Sequence, residues 1–159
     1  MTFAQLPRIW FLADAGMPVE GWSQFAAYFT RQGFSCYASA PASAYGLATL
    51  QPLTVAVAHR CAPLPVAAAA LAILSPGTGC LLDLMQRPPT LPIWLGVGEK
   101  MRVQRLFTQF AVHRLNAATP YVFQGLGHDL IAAPGWERVA HALRLWAQRS
   151  IVSGPLTRS

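Results

Sequence analysis

Three side chains in this sequence have the chemistry of a reactive or binding site. Arg60 carries a permanent charge on a planar guanidinium, which suits a carboxylate or a phosphate, helped by the start of a following helix. Cys61 is either a thiolate nucleophile or a small buried hydrophobe. His128 either takes part in a site or caps a strand and bonds to a nearby loop. Which of these chemistries is available depends on the elements that position the residues.

Five short apolar runs are typical of strands that are buried on both faces. They cover residues 8–13, 34–38, 53–58, 92–97 and 121–124. Amphipathic stretches between them predict helices: one over 22–29, a second near 102–115, and a last one over about 135–149. Residues 67–72 are compatible with a helix, but the apolar Ile73 follows at once, so a helix and a strand are compressed there.

Strands that alternate with helices predict one α/β domain. We expect residues 1–159 to form a single domain, with a core over about 8–150 and a flexible tail over 151–159. The sheet should be doubly wound and mostly parallel, with about six strands and helices on both faces. Functional residues of such sheets lie in loops at the carboxyl ends of the strands. The residues expected at that edge are Asp14, Arg60, Cys61, Glu99 and His128.

Arg60 has two interpretations at this edge. In the first, it binds an anionic ligand, with Asp14 and His128 as the other ligand-binding residues. In the second, it forms a salt bridge with Asp14 or Glu99 that plugs a disused pocket, because a buried guanidinium needs an anionic partner.

Four segments near the strand ends follow the order and spacing of a known family. They are Gly21-Trp22, Val57-Ala58-His59-Arg60-Cys61-Ala62, Leu95-Gly96-Val97-Gly98-Glu99-Lys100 and Gly125-Leu126-Gly127-His128-Asp129-Leu130. Together they resemble the α/β-hydrolase family over about residues 8–149, as a short member without a lid. The resemblance implies an ester-hydrolysing site at the carboxyl edge of the sheet, with His128 as its catalytic histidine.

The segment after the third strand departs from the family's nucleophile elbow. That elbow, G-x-S-x-G, is a sharp turn that needs small residues on both sides of the serine. With Arg60 at the serine position both flanking residues are alanines, whereas with Cys61 there they are His59 and Pro63, whose bulk crowds the turn. The first register is sterically better, and it replaces the nucleophile by a guanidinium, which cannot attack a carbonyl.

Two further positions of the implied site are altered. Met101 stands where family members usually have the aspartate of the triad, while Glu99 is shifted from that position and Asp83 is more distant. Asp14 lies in the first loop, beside the implied oxyanion hole, where a carboxylate that points inward would repel a developing oxyanion. The leading prediction is therefore a catalytically degenerate, hydrolase-like protein that binds a small molecule, such as an anionic ligand.

Two rival interpretations remain open. The first is an esterase or thioesterase that acts on a small-molecule ester or thioester. It would use Cys61 as nucleophile, His128 as base and Glu99 or Asp83 as the orienting acid. The second is an interaction subunit whose apolar surface pairs with a second copy or with another protein.

Composition narrows the classes of partner. Only 11% of the residues are charged, whereas soluble domains average about a quarter, so a homo-oligomer or a partner protein is expected. The net charge of +6 comes from arginines dispersed singly along the chain, which argues against nucleic-acid binding. The sequence has no uninterrupted run of about 20 apolar residues, so we do not expect a membrane span. Three cysteines without metal-ligand spacing indicate a reduced, cytoplasmic protein with no metal and no other cofactor.

Overall fold

A six-stranded parallel sheet organises the computed structural model, which describes residues 6–13, 18–39, 53–60, 68–84, 86–87, 90–101 and 120–152. The described elements are, in chain order, β1 (Arg8–Leu12), a 3-10 turn (Val19–Trp22), α1 (Ser23–Arg31), β2 (Ser35–Ser39), β3 (Thr54–His59), β4 (Ala70–Leu74), α2 (Thr78–Leu84), β5 (Ile93–Gly98), β6 (Tyr121–Phe123) and α3 (Trp136–Val152). The predicted α/β class and parallel sheet are confirmed.

The strand order identifies where a ligand crevice can form. All neighbouring strands are parallel, in the order β2-β1-β3-β4-β5-β6, which is compatible with an α/β-hydrolase-like core. The first five strands also follow the flavodoxin-like order, so the order establishes the fold class and not a family. Because β2 and β3 pair with opposite edges of β1, the winding reverses between β1 and β3. Open α/β sheets bind ligands at the carboxyl ends of such strands.

One face of the sheet packs against α1 and α3. Alternate strand residues share a buried cluster with the apolar faces of both helices. At its centre Phe11 stacks on Trp22, with ring centroids 4.9 Å apart, and meets Phe25 and Phe29 edge-on. The predicted apolar faces of the first and last helices are confirmed, because Phe25 and Phe29 of α1 and Leu143 of α3 are all buried in this cluster.

The intervening strand residues form a second buried cluster. Trp10, Leu12 and Ile73 belong to it, together with Cys80 and Leu84 of α2. The division follows from the strand geometry, in which successive side chains point to opposite faces. The expected helix near 102–115 lies outside the described residues, so the arrangement of helices on both faces stays a prediction.

Two boundaries differ from those predicted from the sequence. The stretch that is compatible with a helix at 67–72 instead enters β4, whose five residues, Ala70–Leu74, are all buried between β3 and β5. Tertiary context overrides the helix propensity of alanine there, because a central strand gains full burial and two hydrogen-bonded neighbours. The last helix continues through Val152, beyond the expected start of the tail, and residues 153–159 lie outside the described part. No helix in the described ranges is long and apolar enough to cross a membrane.

Candidate functional site

Three strand ends meet side by side at the carboxyl edge of the sheet. Each strand ladder continues one residue past its strand. The backbone N–H of Arg60 donates to the carbonyl of Leu74 at 2.8 Å, and that of Ser75 donates to Gly96 at 2.8 Å. The N–H of Glu99 donates to the carbonyl of Phe123 at 3.0 Å. Arg60, Ser75 and Glu99 therefore follow β3, β4 and β5 in one row.

The loop that follows β6 is fixed to this row through its backbone. The carbonyl of His128 accepts hydrogen bonds from Ser75 Oγ at 2.7 Å and from His59 Nε2 at 3.2 Å. Because a carbonyl only accepts, the ring of His59 carries a proton on Nε2 in this bond. The N–H of Lys100 donates to the carbonyl of Leu126 at 3.0 Å. Contacts from three strand ends thus position the loop while the side chain of His128 stays exposed.

Gly98, the last residue of β5, allows this loop to pass close to the sheet. A Cβ atom built on Gly98 would lie 2.1 Å from the carbonyl oxygen of Gly127 and 2.5 Å from that of Leu126. Both contacts are with backbone atoms, which cannot rotate away as a flexible side chain would. The approach of the loop to β5 therefore requires glycine at this position.

Asp129 closes the same loop on its other side. Its carboxylate accepts the backbone N–H groups of Ile131 at 3.2 Å and Ala132 at 3.1 Å. This is a local turn in which a short acidic side chain satisfies backbone donors. The carboxylate of Asp129 therefore has a structural role in holding the loop.

Arg60 occupies a strained backbone position directly after β3. Its φ angle is 63°, in the left-handed region, and its side chain is exposed. Ser75 has a similar angle of 51° after β4, but its side chain is fully buried. A left-handed residue other than glycine costs about 1–2 kcal/mol, and a strained turn after a strand is typical of a nucleophile elbow. The strain coincides with the register that puts Arg60 at the serine position; Cys61 lies outside the described residues.

Within the described part of the chain, no expected acid forms an ion pair with Arg60 or a hydrogen bond with the ring of His128. Arg60 is exposed rather than buried, and it forms no ion pair with Glu99; Asp14 lies outside the described residues. Asp83, on α2, forms an ion pair with Arg87 at 3.1 Å. Neither Glu99 nor Asp83 hydrogen-bonds the ring of His128. The described residues thus bring together Arg60, Glu99 and the His128 loop, without an acid that orients the histidine.

Two side chains that hold the loop, His59 and Ser75, were not predicted from the sequence as a pair. Ser75 comes before a proline after an apolar run, which marks the end of a strand. Its hydroxyl, however, reaches a carbonyl 53 positions away in the chain. Such a contact depends on the order of strands in the sheet, and no local pattern indicates it.

The described residues contain no group of three or more histidine, cysteine or acidic side chains that could hold a metal ion. Comparison with known proteins finds no matching family model, no matching curated protein and no matching solved structure. The fold and the geometry at the carboxyl edge of the sheet are therefore the basis of the functional proposal.

Proposed function

We propose that this protein is an α/β-hydrolase-like binding protein that takes a small anionic ligand at the carboxyl edge of its sheet and does not hydrolyse esters. The observation that carries the proposal is the exposed side chain of Arg60, whose own backbone is left-handed and strained directly after β3. A guanidinium stays protonated and cannot attack a carbonyl. It does suit a carboxylate or a phosphate, which it can bind through two parallel hydrogen bonds.

The position of Arg60 in the sheet supports this proposal. It follows β3, one of the two strands between which the winding of the sheet reverses. The preceding residue, His59, donates a hydrogen bond to the carbonyl of His128, so the loop that carries the exposed His128 side chain passes next to the end of β3. An anion that binds Arg60 would therefore approach the sheet where ligands of open α/β folds bind.

Thermal unfolding in the presence of small anions tests the proposal. Inorganic phosphate, acetate and butyrate should each raise the melting temperature of the wild-type chain, because a ligand that binds only the folded state stabilises it. Arg60→Ala should abolish this rise. Arg31→Ala is the matched control: it removes another exposed arginine, from the last turn of α1, and should keep the rise.

An equal rise in the Arg60→Ala variant and the wild type would overturn the anion site. The same preparation also tests the rival esterase or thioesterase. Turnover of p-nitrophenyl butyrate that is lost in both Cys61→Ala and His128→Ala would replace the binding proposal with hydrolysis. That mechanism needs its nucleophile one residue after the strained position, which is why we favour binding. We propose a cytoplasmic location for either activity, because the three cysteines of the sequence do not have the even number of a disulfide framework.

A further inference from the structure

A second pocket, of about 400 Å³, lies between α3 and the edge strand β6. None of Arg60, Ser75, Glu99 and His128 lines it. Its volume lies within the range of about 300–1,000 Å³ that is usual for small-molecule sites. The side chains that decide its chemistry are aromatic or basic: Trp94, Tyr121, Trp146, Arg138, His141 and Arg149.

The aromatic residues provide flat apolar surfaces around one buried ring. Trp94 is 7% exposed, and the ring centroids of Tyr121 and Trp146 lie 6.2 Å and 6.4 Å from its own. Tyr121 is 50% exposed, although it packs on Phe123 with centroids 4.6 Å apart. The half-exposed ring of Tyr121 and the partly buried ring of Trp146 can stack on a planar apolar ligand, which would cover the exposed face of Tyr121.

The charged groups around these rings are basic. Among the described residues, two arginines supply the charge of the pocket lining and no carboxylate lines it, while the Nδ1 of His141 accepts a hydrogen bond from Arg144 at 3.2 Å. Arg149 donates from Nε to the carbonyl of Leu145 at 3.3 Å, and Arg138 donates from one terminal nitrogen to Gln124 at 2.9 Å. A guanidinium has five N–H donors, so each arginine keeps donors for an anion. Like charges disfavour a cationic ligand, and they also disfavour symmetric contact with the same pocket of a second copy.

From these observations we propose that the pocket binds a small aromatic anion. The ring of the ligand stacks on Tyr121 and Trp146 above Trp94. Its carboxylate accepts hydrogen bonds from the terminal N–H groups of Arg149, which is one helical turn beyond Trp146 on α3. Arg138, eleven positions earlier on the same helix, adds positive potential at the other end of the pocket.

Calorimetric titration with three naphthalene derivatives tests this site. Naphthalene-2-carboxylate should bind the wild-type chain about tenfold more tightly than naphthalene-2-methanol, because only the former offers a charged acceptor. The cation 2-naphthylmethylammonium should bind more weakly still. Arg149→Ala should weaken carboxylate binding about tenfold and leave the alcohol unchanged. Tyr121→Ala should weaken both ligands about equally, because it removes the stacking surface.

Arg31→Ala is again the matched control, because Arg31 and Arg149 are exposed arginines in the last turn of their helices. It should leave binding unchanged. Carboxylate binding that is equal in wild type and Arg149→Ala would overturn the proposal, and so would the absence of binding at millimolar ligand. Binding lost in Arg60→Ala alone would assign the ligand to the other site.

Discussion

The hydroxyl of Ser75 joins two parts of the chain that are far apart in sequence. Ser75 is fully buried and left-handed, and its Oγ donates to the carbonyl of His128 at 2.7 Å. Two opposing terms act on this one residue. The backbone conformation costs about 1–2 kcal/mol for any residue with a Cβ, while the buried hydrogen bond contributes about 0.5–1.5 kcal/mol.

Replacing Ser75 separates these two terms. Ser75→Ala keeps the strained backbone and removes the hydrogen bond, so it should lower the free energy of unfolding by about 1–2 kcal/mol. Ser75→Gly also removes the bond but relieves the strain, and should therefore cost about 1 kcal/mol less than alanine. Urea unfolding measures both values. Equal losses in the two variants would show that the left-handed conformation of Ser75 carries no energetic cost.

Contacts between residues at the carboxyl edge of the sheet were not predictable from the sequence. The small residues flanking Arg60 predict the register in which it takes the nucleophile position, and the left-handed backbone at Arg60 supports that register. The predicted salt bridge of Arg60 with Asp14 or Glu99 depends on the assumption that Arg60 is buried. Arg60 is exposed, so water can solvate its charge and no partner is needed. Exposure at a strand end depends on the neighbouring loops, which a local pattern does not show.

At the scale of elements, the end of β5 and the loop after β6 are in unusually close contact. Gly98→Ala should move that loop, because the new Cβ would lie 2.1 Å from a backbone oxygen. We expect a loss of about 1–3 kcal/mol in the free energy of unfolding. The matched control is Gly127→Ala, on the other side of the same contact, where a Cβ has no heavy atom within 4 Å.

Thermal or urea unfolding of the two glycine variants decides the point. Gly127→Ala should stay within about 0.5 kcal/mol of the wild type, as surface substitutions usually do. Similar effects of the two substitutions would contradict the close passage of the loop over β5.

Most strands were predictable because they are short, apolar and bounded by polar or glycine residues. The exception is β4, in which alanines leave the period ambiguous and the strand is recognisable only through its neighbours β3 and β5. The helix Thr78–Leu84 was not predicted at all, because seven residues with few charges give too little periodicity. The sequence predicted a mostly parallel sheet but not the order of its strands, because strand pairing is decided by contacts distant in sequence.

At the scale of the whole molecule, the scarcity of charge leaves isolated apolar side chains exposed. The large ones in the described part are Leu6, Val19, Leu82, Tyr121 and Leu145. Tyr121 and Leu145 both line the pocket beside α3, where a ligand would cover them. Pairing with a second copy or with another protein remains a proposal for the surface as a whole. The basic groups around this pocket make it a poor site for symmetric self-association.

The free energy of unfolding should fall at alkaline pH because two neighbouring residues of β2 lose their protons less readily in the folded state. Burial raises the pKa of Tyr37, and the nearby Thr54 hydroxyl and Arg8 lower it only in part. Burial likewise raises the pKa of Cys36, against a smaller opposite effect of Thr30. The folded state then holds these protons to higher pH than the unfolded state does. Stability is complete below the unfolded pKa values and is lost as the pH rises past about 9 to 10 toward the folded values.

Tyr37→Phe isolates the tyrosine part of this effect. The drop in urea midpoint between pH 8 and pH 10.5 should be smaller in Tyr37→Phe than in the wild type, because phenylalanine has no proton to lose. A drop that is unchanged in Tyr37→Phe would rule out Tyr37 as a source of alkaline instability.

The loop after β6 is held at His128 by hydrogen bonds to the backbone and not by the imidazole side chain. Within the described residues, two hydrogen bonds hold the chain at His128, both end on its carbonyl, and the imidazole itself is exposed. The backbone position therefore does not depend on which side chain is present there. The side chain at position 128 can therefore be exchanged for another functional group, by evolution or by design, while the backbone hydrogen bonds that join the loop to the sheet are kept.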